Sequence, residues 1–128
     1  MSAGGPIRIV IVEDNKVFRE ALQLLLGLRE DVEVVTSVAD GEEAVGACRE
    51  YSPDVVLMDY RLPGLDGIEA TRALHAEFPH IAVVALTASA NRDEMKALRE
   101  AGAVACLTKD QELEEIVGAI KQAAAAAA

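Results

Sequence analysis

The sequence predicts an α/β fold, a doubly wound five-stranded parallel sheet of (βα)5 type. Short apolar runs alternate strictly with segments of helical period, five of each, and together they fill 128 residues, enough for one domain. The runs are rich in β-branched and small apolar residues, as strands buried on both faces require. Strict βα alternation implies parallel pairing with right-handed crossovers.

The first strand is expected at residues 7–12, before a helix whose apolar positions Phe18, Ala21, Leu22, Leu25 and Leu26 recur at helical spacing. The second spans 32–38, and its helix carries Ala44, Val45 and Cys48 behind Asp40, an N-cap candidate. Residues 54–58 form the third strand, before a helix with Ile68, Thr71 and Leu74. A fourth strand at 81–86 precedes Met95, Leu98 and Ala101, and a fifth at 103–106 precedes Leu113, Ile116, Val117 and Ile120. Pro53 and Pro79 stand just before strands, where a missing N–H is tolerated, and Gly27 and Gly102 stand where helices end. Residues 1–6, Gly-rich and uncharged, are expected to be disordered, with the domain at 7–122. The alanines at 123–128 are a tail or linker stub, or extend the last helix, since alanine has the highest helix propensity.

Composition removes several function classes. Twelve basic residues against twenty-two acidic ones give a net charge of −10, which disfavours direct binding to a nucleic-acid backbone. Apolar stretches fall far short of the roughly 20 residues of a membrane helix, so no membrane association is expected. Cys48 and Cys106 lie far apart without CxxC spacing, and no signal-peptide pattern is present. Both thiols are therefore expected to be reduced, in a cytoplasmic protein.

Sites in such sheets form beyond the carboxyl ends of the strands. There the sequence places Glu13 and Asp14, Asp59, Thr87 and Ala88, and Lys109. Singly, each has a plain structural explanation, because acidic residues after strands are common turn formers and caps. Jointly, three converging carboxylates need a cation, since two unit charges 4 Å apart repel by roughly 4 kcal/mol at an effective dielectric of about 20. Mg2+ suits one or two carboxylates together with phosphate oxygens, and Lys109 adds a mobile positive charge. These groups point to phosphoryl transfer, with Asp59 as nucleophile, Glu13 and Asp14 holding the metal, and the Thr87 hydroxyl donating to a phosphoryl oxygen.

Residues 9–15, with the Glu13-Asp14 pair, and 53–59, ending in Asp59, resemble the receiver domains of two-component response regulators. So do residues 61–67, 86–88 and 102–109, in that family's order and spacing, and the similarity runs from about 7 to 122. The resemblance implies a flavodoxin-like strand order, 2-1-3-4-5. It implies phosphorylation of Asp59, with Mg2+ held by Glu13, Asp14, Asp59 and the Arg61 backbone carbonyl. Thr87, Ala88 and Lys109 would contact the phosphoryl group, and Thr87 and Cys106 would occupy the switch positions. The implied partners are a sensor histidine kinase and a second copy across the fourth and fifth helices. Such a domain accepts phosphate and dephosphorylates itself but is not a turnover enzyme. Lys109-Asp110 and Phe18-Arg19-Glu20 are most similar to receivers that precede a LuxR-type helix-turn-helix, which implies a transcriptional regulator with a DNA-binding domain C-terminal to this chain. An isolated receiver is the alternative.

Three departures stand out: the acidic pair is Glu-Asp, Cys106 replaces the family's usual Tyr or Phe, and Arg61, two residues after the acceptor, is large and cationic. A thiol is too small to report a movement by ring burial, so a phosphate-independent interaction module is the rival reading. A Mg2+-dependent phosphatase would need a substrate cap, and no insertion is long enough to form one. His75 and His80 are read as solvated, Tyr51 and Tyr60 as covering the core's edge, and Glu112, Glu114 and Glu115 as the first turn or solvent face of the last helix.

Overall fold

The computed structural model describes residues 5–61, 66–88 and 91–127. Strands and helices alternate as β1 (Ile7–Val12), α1 (Lys16–Gly27), β2 (Val32–Val38), α2 (Gly41–Tyr51) and β3 (Val55–Asp59). They continue as α3 (Gly67–Glu77), β4 (Ala82–Thr87), α4 (Arg92–Ala101), β5 (Ala105–Thr108) and α5 (Leu113–Ala127). All pairings are parallel, in the predicted order 2-1-3-4-5.

Side-chain alternation along the strands builds two apolar layers. Ile9 and Ile11, Val55 and Leu57, and Val84 and Leu86 pack with Leu22 and Leu26 of α1 and Ile116, Val117 and Ile120 of α5. Val10 and Val12, Val56 and Met58, and Val83 and Ala85 pack on the other face with residues of α2, α3 and α4, including Cys48, Leu74 and Leu98. A run without polar alternation therefore means a strand covered on both sides.

β1 and β2 match their predicted bounds, whereas the last three strands begin one or two residues later than predicted. The chain before each strand is used in turns and caps. Asp54 Oδ2 accepts the Arg8 N–H at 2.9 Å, Ile81 N–H donates to the Phe78 carbonyl, and Ala103 N–H donates to Leu98. Asp59 and Thr87 thus end their strands, and Lys109 follows β5 directly.

Asp40 caps α2 as expected, through Glu43 N–H at 2.8 Å. Asn15, Asp66 and Asn91 cap α1, α3 and α4 in the same way. Gly102 ends α4 with φ +123°. Gly27 is the last helical residue of α1, which closes on Leu28 in right-handed conformation; the left-handed exit of α2 is Ser52. The alanine run continues α5 to Ala127, and Ala123 is buried against the core. Residues 1–4 and Ala128 lie outside the described residues.

Candidate functional site

The pocket follows from register. β1 and β3 pair with Val12 beside Met58, which brings the next residues, Glu13 and Asp59, side by side. Continuing the alternation, Glu13, Asp59 and Lys109 fall on the face covered by α1 and α5, while Thr87 and Cys106 fall on the face of α3 and α4. Carboxylates and lysine share one layer, and the two expected switch residues share the other.

Glu13 and Asp59 are 1% and 4% exposed, so both carboxylates are withdrawn from water, whereas Asp14 is exposed at the rim. One oxygen from each of Glu13, Asp14 and Asp59 lies within 4.8 Å of the others, the one grouping of metal-ligand type among the described residues. Lys109 Nζ is 2.7 Å from Glu13 Oε1 and 3.3 Å from Asp59 Oδ1. Glu13 Oε2 accepts the Asn15 N–H at 3.0 Å, and the buried Oε1 meets no donor among the described residues but the Lys109 ammonium. A buried carboxylate oxygen with spare lone pairs among other carboxylates is what a hard, oxygen-seeking cation requires.

Asp59 Oδ1 also accepts the Arg61 N–H at 3.3 Å. Burial, and then the neighbouring Glu13 carboxylate, push the Asp59 carboxyl up to about 7 against the opposing pull of Lys109 and the Arg61 amide. Burial works to lower the Lys109 pKa, but Glu13 and Asp59 outweigh it and hold the ammonium above its ordinary value. Without further positive charge, the pocket lacks enough cation for its carboxylates.

Thr87 is buried at the end of β4, and Lys109 N–H donates to its carbonyl at 2.8 Å. Ala88, the next residue, is exposed. Cys106 is half-buried toward α4, its thiol 3.7 Å from the Met95 carbonyl; burial raises its pKa, partly offset by Arg99. Arg61 points outward and lies 3.8 Å from Glu94 of α4. Residues 62–65 of the loop after the acceptor, and residues 89–90, lie outside the described residues. His75 and His80 are exposed, and Tyr51 and Tyr60 border the second apolar layer, as expected.

Two residues without a predicted role belong to the site's frame. Gly67 opens α3 against the backbone behind the acceptor: a Cβ there would meet the Tyr60 and Asp59 carbonyl oxygens at 2.5 and 2.6 Å. Phe18, read as a core position and as part of the LuxR-type resemblance but given no role in the pocket, places its ring centroid 4.9 Å from Lys109 Nζ. Its sequence signal is weak, since any aromatic on an apolar helix face looks the same.

The model of the response regulator receiver domain matches residues 9–121. The chain belongs to that family. This receiver is 37% identical over 117 residues to the transcriptional regulatory protein LiaR of Bacillus subtilis (strain 168), covering 91% of this chain and 56% of LiaR. It is 39% identical over 116 residues to the response regulator GacA of Pseudomonas aeruginosa, covering 91% and 54%. The chain spans about half the length of the curated relatives it matches. Among solved structures, a two-component response regulator of the LuxR family from Aurantimonas sp. SI85-9A1 superposes with a TM-score of 0.89 at 35% identity, covering 94% of this chain and 86% of that one. The response regulator domain of Thermotoga maritima CheB gives a TM-score of 0.83 at 31% identity, covering 94% and 97%. No helix among the described residues is long and apolar enough to cross a membrane.

Proposed function

We propose that this receiver accepts a phosphoryl group on Asp59 from a sensor histidine kinase and relays the change to a C-terminal DNA-binding domain of a cytoplasmic transcriptional regulator. The observation that carries this reading is the buried Asp59 carboxylate beside Glu13, Asp14 and Lys109. An oxygen of Asp59 attacks phosphorus, and the donor's bond to phosphorus breaks with its electron pair leaving on the donor. Glu13, Asp14, Asp59 and the Arg61 carbonyl would hold Mg2+, which when bound neutralises charge on the transferring group. Lys109, which contacts both buried carboxylates, would turn to a phosphoryl oxygen, and the Thr87 hydroxyl and Ala88 amide, at the end of β4, would contact the same group. In this reading the domain accepts the group and sheds it by its own hydrolysis, and is not a turnover enzyme.

The donor's docking surface is supported by α1, which starts at the rim of the pocket. Val17, Leu24 and Leu28 are 78%, 67% and 75% exposed, and with Leu25 they make up nearly all the exposed large apolar side chains among the described residues. A concentration of this kind marks a protein contact. On α4 and α5, the helices proposed to meet a second copy, the exposed residues include charged ones instead, among them Lys96, Arg99 and Glu115.

Incubation with Mg2+ and acetyl phosphate, followed by mass spectrometry, tests the acceptor role. Wild type is expected to gain one phosphoryl group and Asp59→Asn none; an unmodified wild type that also ignores beryllofluoride would overturn it. Cys106 supports a second reading, a receiver that binds partners irrespective of phosphate. That reading fails if beryllofluoride shifts the oligomeric state.

A further inference from the structure

We propose that Phe18 is a positioning residue for Lys109, its ring face keeping the ammonium over the pocket while the lysine moves from the carboxylates to an incoming phosphoryl group. This role rests on the reading of Asp59 as acceptor. Lys109 leaves β5, two strands from Asp59 and three from Glu13, so its flexible stem must cross the end of β4. There the ammonium meets two carboxylates, 2.7 Å from Glu13 Oε1 and 3.3 Å from Asp59 Oδ1, and it must loosen both contacts to reach a phosphoryl oxygen.

Phe18 offers a third contact, one that does not have to be given up in that move. Its backbone is fixed in the first turn of α1 by the Asn15 cap at 3.0 Å, and its half-buried ring packs on the α1 and α5 layer that Lys109 also faces. The ammonium lies 4.9 Å from the ring centroid, inside the range of attraction between a cation and an aromatic face. That attraction falls on the whole face rather than on one lone pair. Nζ can therefore shift toward a phosphoryl oxygen without leaving the ring, and the ring keeps water from that side of the lysine.

Phe18→Leu retains apolar packing but removes the aromatic face, and Phe18→Tyr retains both. With acetyl phosphate and Mg2+, Phe18→Leu is expected to slow the maximal rate of Asp59 phosphorylation about three- to tenfold, with donor KM and Mg2+ affinity unchanged. Phe18→Tyr should restore the rate. In a Lys109→Met background, Phe18→Leu should add nothing, and equal slowing in both backgrounds would overturn the proposal, because the ring would then act through packing alone. By NMR, the Lys109 ε-methylene protons should be shifted upfield by the ring in wild type and not in Phe18→Leu. Unshifted protons in wild type would overturn the contact itself, whatever the phosphorylation result. Shifted protons in a wild type that takes up no phosphate would instead overturn the acceptor reading, and this role with it.

Discussion

Asp59 is a carboxylate that its own fold makes reluctant to ionise. Its folded pKa of about 7 stands above the ordinary 3.8, so the native chain holds this proton more tightly than the unfolded chain does. With metal removed, this group's contribution to stability is therefore greatest at low pH and is lost as pH rises from about 4 through 7. Asp59→Asn should flatten that slope and, at pH 8 in EDTA, melt at a higher temperature than wild type, by roughly 1–3 kcal/mol of stability. An Asn variant that melts lower, with the slope intact, would show that the cluster is already compensated. Cys106 lies on the opposite layer, toward Met95, and touches none of the three carboxylates. Cys106→Ala is accordingly expected to keep the rate of phosphorylation by acetyl phosphate within about twofold, the usual span for a substitution away from the chemistry.

The placement of helices decides how the pocket is framed. α3 begins so close to the acceptor strand that Gly67→Ala would drive a methyl group into the carbonyl oxygens of Asp59 and Tyr60. Backbone cannot yield as a flexible side chain can. The variant should lose about 1–3 kcal/mol in denaturant melts and phosphorylate more slowly than wild type. α1 has two duties, since Leu22 and Leu26 anchor it to the sheet while Val17, Leu24 and Leu28 face outward. Leu24→Glu should reduce phosphotransfer from a cognate kinase at least about tenfold, as loss of a central apolar anchor does, yet leave labelling by acetyl phosphate unaltered. Equal effects on both donors would mean that α1 itself had been disturbed.

Across the whole molecule, the sheet gathers charge at one end and leaves the stabilising apolar layers intact beneath it. Ion pairs from Arg29 to Asp31 and Glu114, and from Lys121 to Asp31, tie the loop between α1 and β2 to α5. The acidic cluster is a cost to folding that a bound cation would relieve. Titrating Mg2+ at pH 8 should raise the melting temperature, by about 2.7 kcal/mol of stability at a hundredfold excess over Kd, whereas Asp59→Asn should respond much less. A melting temperature indifferent to Mg2+ in wild type would count against metal binding by this cluster.

By itself the sequence determined the fold class, the order of elements and the three carboxylates and lysine that meet at the strand ends. Continuous β-branched runs can be buried only in a doubly covered sheet, and an acidic residue closing such a run has nowhere to point but the end of that sheet. Strand starts after Asp54, Ile81 and Ala103 were less legible, because turns and caps use apolar residues that look like strand. Register and alternation, which only the tertiary structure supplies, decided that Glu13, Asp59 and Lys109 share a layer while Cys106 faces away. The same holds for the ring of Phe18 over the lysine and for the clearance at Gly67. These are contacts between residues far apart in the chain, and no local preference encodes them.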